Sequence, residues 1–277
     1  TTSVSGGQVG GSTTNSGTLT AQNATLHDVT NSAGTATLTG STANALSNAA
    51  GATLSVSGGT ATSAQNAGTL TLGGGNTVSG DVTNTAESLT LDGETIGGTL
   101  AAQGGSFTVT PNTATAGSLS GSANGALDGT LTLTQAADTY SGVLSGTGGF
   151  TVNGGTEILS GANIYTGATT VAKGAGLNLP GSIVGDLTTA GTTSVSGGQV
   201  GGSTTNSGTL TAQNATLHDV TNSAGTATLT DSTANALSNA AGATLSVSGG
   251  TATSAQNAGT LTLGGGNTVS GDVTNTA

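Results

Sequence analysis

The chain has 277 residues, a formal net charge of −11 with Lys173 as its one basic side chain, no cysteine, 51 glycines and an aromatic content of 1%. Without clustered Lys or Arg to release counterions, nucleic-acid binding and attachment to anionic membrane surfaces are excluded, and without thiols so are disulfides and thiolate metal sites. A globular core of ordinary width is excluded as well, because the apolar residues are mostly Ala, Val and Leu rather than the large side chains that fill such cores.

Gly/Ser/Thr/Asn-rich chains often stay disordered, but this one has only 2 prolines, little charge, and apolar residues that alternate with Thr and Ser in regular bursts. From the N-terminus onward, a turn signal of Asn, a small residue and Gly stands just before an alternating strand. Asn15-Ser-Gly precedes TLTA, Asn31-Ser-Ala-Gly precedes TATLT, and Asn48-Ala-Ala-Gly precedes ATLSV. Asn66-Ala-Gly precedes TLTL, and Asn84-Thr-Ala-Glu precedes SLTL, so the steps from Asn to Asn are 16, 17, 18 and 18 residues. Later rungs keep the strand and lose the Asn, as at Gly105 (SFTV) and Gly129 (TLTLT).

Units this short cannot bury their own apolar faces and must stack on one another, which predicts an all-β parallel β-solenoid with about 18 residues per coil and about 15 coils. The strands read with a period of two. Leu70 and Leu72 are expected inward with Thr69 and Thr71 outward, and the same split holds for Leu54/Val56, Leu89/Leu91 and Phe107/Val109. A second short strand follows each long one, placing Val78 and Val82 in the same interior. Asn15, Asn31, Asn48, Asn66 and Asn84 are expected to form a structural corner ladder, their side chains bonded from coil to coil. Thr18, Thr20, Thr69 and Thr71 form a candidate outward contact ladder; outward Thr is also the ordinary choice for a half-exposed pleated surface.

Chemistry is sparse. Glu87, Asp92 and Glu94 make the densest acidic group, and two of them are expected to share a face near a turn; a solvated corner is the favoured reading, since a sugar-cleaving site wants converging carboxylates and an aromatic platform. His27-Asp28, seen again as His218-Asp219, invites comparison with a triad fragment or metal ligand, but adjacent strand residues are expected on opposite faces. The run GGGNTVSGD from Gly73 lacks the tandem Asp of calcium-binding nonapeptides and is rejected as such a site. Tyr140 and Tyr165 are read as packing residues and Lys173 as a solvated corner. No catalytic, cofactor-binding or metal residue is assigned.

The segment Thr139 to Leu179 contains Leu159-Ser-Gly-Ala-Asn163-Ile-Tyr165-Thr-Gly167-Ala-Thr-Thr-Val171, followed by Leu177 and Leu179 and preceded by Gly146-Thr-Gly-Gly-Phe150. It resembles the passenger-associated repeat of bacterial autotransporters over about 40 residues, with Ile164 where Thr is commoner and Lys173-Gly174-Ala175 varying the last corner. The resemblance implies a right-handed parallel β-helix, displayed outside the cell by a C-terminal β-barrel that would lie elsewhere in a parent protein. From Thr192 to Ala277 the chain then repeats Thr1 to Ala86 with the single change of Gly40 to Asp231. The chain starts inside a repeat and is expected to be a piece of something longer, without a leader or membrane span of its own and with open strand edges at Thr1 and Ala277.

These readings point to a non-enzymatic stalk or adhesin at the bacterial surface, outer-membrane anchored or released. Its partners would be other copies, host surfaces or abiotic surfaces, with no cofactor. A duplication changes the length of such a segment without disturbing a single site. The alternatives are a polysaccharide-acting β-helix enzyme and an ice-binding β-solenoid.

Overall fold

The computed structural model describes residues 1–276; Ala277, at the end of the second copy, lies outside them. The described chain is all-β, with no helix, and its strands pair only in parallel with strands about 18 residues away, which is the arrangement of a β-solenoid. It forms two compact units, Thr1–Gln135 with Ser141–Val143, and Ala136–Tyr140 with Leu144–Ala277.

In the first unit each coil has three faces. The long face carries strands such as Thr18–Gln22, Thr35–Thr39, Thr53–Ser57, Thr69–Gly73 and Ser88–Asp92. A short face follows, with Thr25–Leu26, Thr60–Ala61, Thr77–Val78 and Thr95–Ile96, then a middle face with Val29–Asn31, Ala45–Asn48, Ser63–Asn66 and Val82–Asn84. The corner between long and short faces needs a left-handed backbone, so it recruits Gly or Asn: φ is +61° at Gly6, +49° at Asn23, +58° at Gly40 and +62° at Gly58. This explains the one difference between the copies, because Asp231 holds the same corner at φ +50° and Asp is among the few side chains that tolerate it.

Alternation sets the core. Leu19, Ala36, Leu54, Leu70, Leu89 and Phe107 stack in register along one inward column, and Ala21, Leu38, Val56, Leu72, Leu91 and Val109 along the next. All are buried, as are Val78 and Val82. The interior is so narrow that one ring consumes the space of the following coil: a Cβ on Gly125, the partner of Phe107, would strike that ring. This is the physical reason for the scarcity of aromatics.

The second unit repeats the plan. Its long face runs through Gly176–Leu179, Thr192–Ser196, Thr209–Gln213, Thr226–Thr230, Thr244–Ser248 and Thr260–Leu263. The passenger-like segment supplies earlier coils of the same unit, Phe150–Val152 pairing with Thr169–Val171 and Thr156–Leu159 with Gly176–Leu179. The terminal coils are open to solvent, with Thr2, Ser3 and Ser5 exposed at one end and Val273 at the other.

Candidate functional site

The asparagines come together as a continuous buried ladder. Asn15, Asn31, Asn48, Asn66 and Asn84 are each the last residue of a middle-face strand, and each side chain turns inward at the corner. The Nδ2 of Asn15 donates to Asn31 Oδ1 at 2.7 Å, Asn31 to Asn48 at 2.9 Å, Asn48 to Asn66 at 2.8 Å and Asn66 to Asn84 at 2.7 Å. The same amide groups also tie the following turn. Asn48 Nδ2 donates to the carbonyls of Ala52 and Thr69, and the Gly68 N–H donates to Asn66 Oδ1. Asn206, Asn222, Asn239, Asn257 and Asn275 form the same ladder in the second unit. Buried amides are costly unless both ends are satisfied, and a column of identical amides satisfies each with the next.

The candidate contact threonines also fall into line. Thr18, Thr35, Thr53, Thr69, Ser88 and Ser106 are mutual register partners and form one outward rank of the long face. Two residues along, Thr20, Thr37, Ser55, Thr71, Thr90 and Thr108 form a second. Thr18 and Thr69 thus share one rank, Thr20 and Thr71 the other. A further column went unread in the sequence. On the short face Thr25, Thr42, Thr60, Thr77, Thr95 and Thr115 follow one another without a single replacement. In the second unit the middle face carries Thr151, Thr170, Thr188, Thr205 and Thr221 likewise. From Thr25 to Thr95 the signal was present as a Thr one or two residues after a corner Gly or Asn, but varying coil lengths hid its alignment.

The acidic group does not converge. Glu87 and Asp92 stand at opposite ends of the strand Ser88–Asp92, roughly 16 Å apart at ~3.3 Å per residue. Glu87, at φ +47°, replaces the Gly of other turns, and its Oε1 accepts from the Gly51 N–H at 2.8 Å. Asp92 points outward and accepts from Thr110 Oγ1 at 2.5 Å and Asn112 Nδ2 at 2.6 Å, which hold its carboxyl below the usual range. Glu94 points inward and is 1% exposed; burial pushes its carboxyl up to about 8, and neither oxygen has a hydrogen-bond partner. Glu87 and Asp92 thus share the solvent side without meeting, while the corner between Asp92 and Glu94 sends one carboxyl out and the other in. Glu157 is a second inward acid, in register with Leu177. Its alternation with Leu159 was the available signal.

The His-Asp reading is corrected as well. His27 and Asp28 lie in the bend between two strands rather than in one, so their side chains meet on the solvent side, Nδ1 to Oδ2 at 3.2 Å; His218 and Asp219 do the same at 3.4 Å. Asp28 is foremost a cross-coil staple. Its Oδ1 accepts from Asn44 Nδ2 at 2.8 Å, the main cause of its lowered pKa, and from the Ala45 N–H at 3.3 Å. Asp81 and Asp186 staple Thr99 N and Ser203 N in the same way, both at 2.8 Å. No group of three or more His, Asp or Glu side chains among the described residues is placed to hold a metal ion. The GGGNTVSGD run has a structural explanation: Asn76 is buried, accepting from the Gly59 N–H at 2.6 Å and donating to the Val56 carbonyl at 2.7 Å.

In the passenger-like segment Tyr140 and Tyr165 are both fully buried. Tyr165 packs on Phe150 with ring centroids 6.5 Å apart, and its hydroxyl lies 2.5 Å from Thr169 Oγ1. Burial raises the pKa of both phenols. Asn163 caps the same region, accepting from Leu144 N–H at 3.0 Å and donating to the Gly161 carbonyl at 3.0 Å and the Ser182 carbonyl at 3.1 Å. A Cβ on Gly167 would overlap the Gly148 carbonyl. Lys173 is exposed at a turn. Tyr165→Phe is expected to cost about 1 kcal/mol through the lost hydroxyl pair, read as a lower urea midpoint. An unchanged midpoint would show that the hydroxyl contributes nothing.

Comparison with protein-family models, with curated proteins and with solved structures finds no match. No helix among the described residues is long and apolar enough to cross a membrane.

Proposed function

We propose that the chain is a structural and adhesive segment of a bacterial autotransporter passenger, displayed at the cell surface or released from it. The observation that carries the reading is the rank-and-file order of the outward hydroxyls. Twelve Thr and Ser side chains of the first unit's long face stand in two register-locked ranks, while acids such as Asp28 and Asp81 staple corners and the aromatics are buried. Many weak, identical hydrogen-bonding groups on a stiff support act through avidity rather than through one tight pocket. The partners are then other copies or a host or abiotic surface, with no cofactor and no membrane insertion by this segment. Display would rest on a β-barrel elsewhere in a parent chain. The passenger-like segment supports the family half of the proposal, since its Tyr165, Asn163 and Gly167 all have packing roles in the coil.

The test is display of this segment on a non-adherent bacterium, scoring settling and attachment. The intact segment is expected to promote one or both, and Thr37→Lys with Thr71→Lys to reduce them. Attachment equal to that of bare cells on every surface tried would leave a plain stalk and end the adhesive reading.

A further inference from the structure

We propose that the long face is an ice-binding surface. The proposal goes beyond the adhesive reading and does not depend on where the protein is displayed. Coils stack ~4.8 Å apart, and alternate residues along a parallel strand lie ~6.6 Å apart, so the two ranks form a rectangular net of hydroxyls. A net of this size is close to the repeat distances of oxygen atoms within planes of ice.

Three properties of the net favour an ordered water lattice as its occupant. First, its hydrogen-bonding capacity is unspent. Among the described residues no side chain of the second rank, Thr20 to Thr108, has a hydrogen-bond partner, and in the first rank only Thr69 does, donating to Glu87 Oε2 at 3.3 Å. Each hydroxyl other than that of Thr69 therefore offers one donor and two acceptor sites to solvent. Second, the net is preset: most members are threonines, whose β-branching restricts χ1, and parallel pairing holds their Cα atoms in register. Third, neither rank contains a charge, although the chain carries −11 overall.

Other solids fit less well. A charged mineral has no counter-charge to meet. A crystalline polysaccharide is gripped by aromatic rings laid on sugar faces, and Phe107, Tyr140, Phe150 and Tyr165 are all inside the coils. The second unit rebuilds the net on its own long face. There Thr209, Thr226 and Thr244 stand in one rank and Thr211, Thr228 and Ser246 in the other.

Freezing hysteresis and ice-crystal habit of the purified chain test the proposal. The wild-type protein is expected to hold ice growth below the melting point and to facet the crystals. Thr37→Lys with Thr71→Lys and Thr228→Lys is expected to lose most of that activity, whereas Thr42→Lys with Thr77→Lys, on the short face, retains it. Far-ultraviolet circular dichroism unchanged from wild type establishes that each variant is folded. Unmodified ice growth with folded wild-type protein overturns the proposal, as does equal loss from the two folded variants. Attachment assays above freezing report separately on adhesion.

Discussion

Asn48→Ala is expected to lower the unfolding free energy by about 4 kcal/mol, among the largest effects of any single truncation in the first unit. Four partners lose a bond at once: Asn31 Nδ2, Asn66 Oδ1 and the carbonyls of Ala52 and Thr69. The bonds to Asn31, Asn66 and Ala52 are buried and that to Thr69 is partly so, Asn48 itself being 2% exposed. A buried polar group left unpaired costs about 1–3 kcal/mol, and the total falls below the sum because Asn31 Nδ2 keeps the Thr53 carbonyl and Asn66 Oδ1 keeps the Gly68 N–H. Asn239→Ala should behave alike, since it breaks the corresponding bonds to Asn222 and Asn257. Asn44→Ala is the control: its amide bonds Asp28 on the solvent side, where water replaces the lost partner, and it should cost less than about 1 kcal/mol. Urea midpoints for the three variants decide the matter. Equal costs at Asn44 and Asn48 would mean that the ladder is ornament rather than support.

The ladder was legible because its spacing is read within one coil at a time. Each Asn precedes a turn and a TLTL-like strand, and a recurring step of 16 to 18 residues leaves stacking as the simple way to bury Leu70 and Leu72. What was not legible is anything that depends on how corners bend. His27 and Asp28 follow the alternation of a strand on paper, but the chain turns at that point, so the rule of opposite faces does not apply. Glu94 sits one residue after Gly93, at φ +86°, and that left-handed step aims it at the interior when its neighbour Asp92 faces water. The unbroken Thr column from Thr25 to Thr115 was hidden for a related reason. Its members are separated by corners of different length, and register emerges only once the coils are stacked. Glu157 is the exception. It lies two residues before Leu159 in a regular strand, and alternation alone places it inside.

Glu94→Gln is expected to stabilise the protein at pH 8 and to leave it nearly unchanged at pH 4. The wild-type carboxyl is held near 8 by burial, against an ordinary value of 4.5. On raising the pH the unfolded chain gives up this proton first. Between about 4.5 and 8 the folded state therefore binds more protons than the unfolded state, and stability falls as pH rises through that window. At ~1.36 kcal/mol per pH unit the upper bound is about 5 kcal/mol, and relaxation of the coil around the ionised group brings the expected loss to about 3 kcal/mol. Glutamine keeps the shape and removes the titration. Its amide can also donate, as Asn76 does one coil earlier to the Val56 carbonyl. Asp28 and Asp92, whose pKa values are lowered by hydrogen bonds, titrate in the opposite sense, but they are common to both proteins and cancel in the comparison. Urea denaturation at pH 4, 6 and 8 should show two curves that coincide in acid and separate progressively above pH 5, the variant on top. Parallel curves across the range would mean that Glu94 is ionised in the folded protein, with water or a partner reaching a corner that the packing around Asn76 and Thr95 otherwise closes.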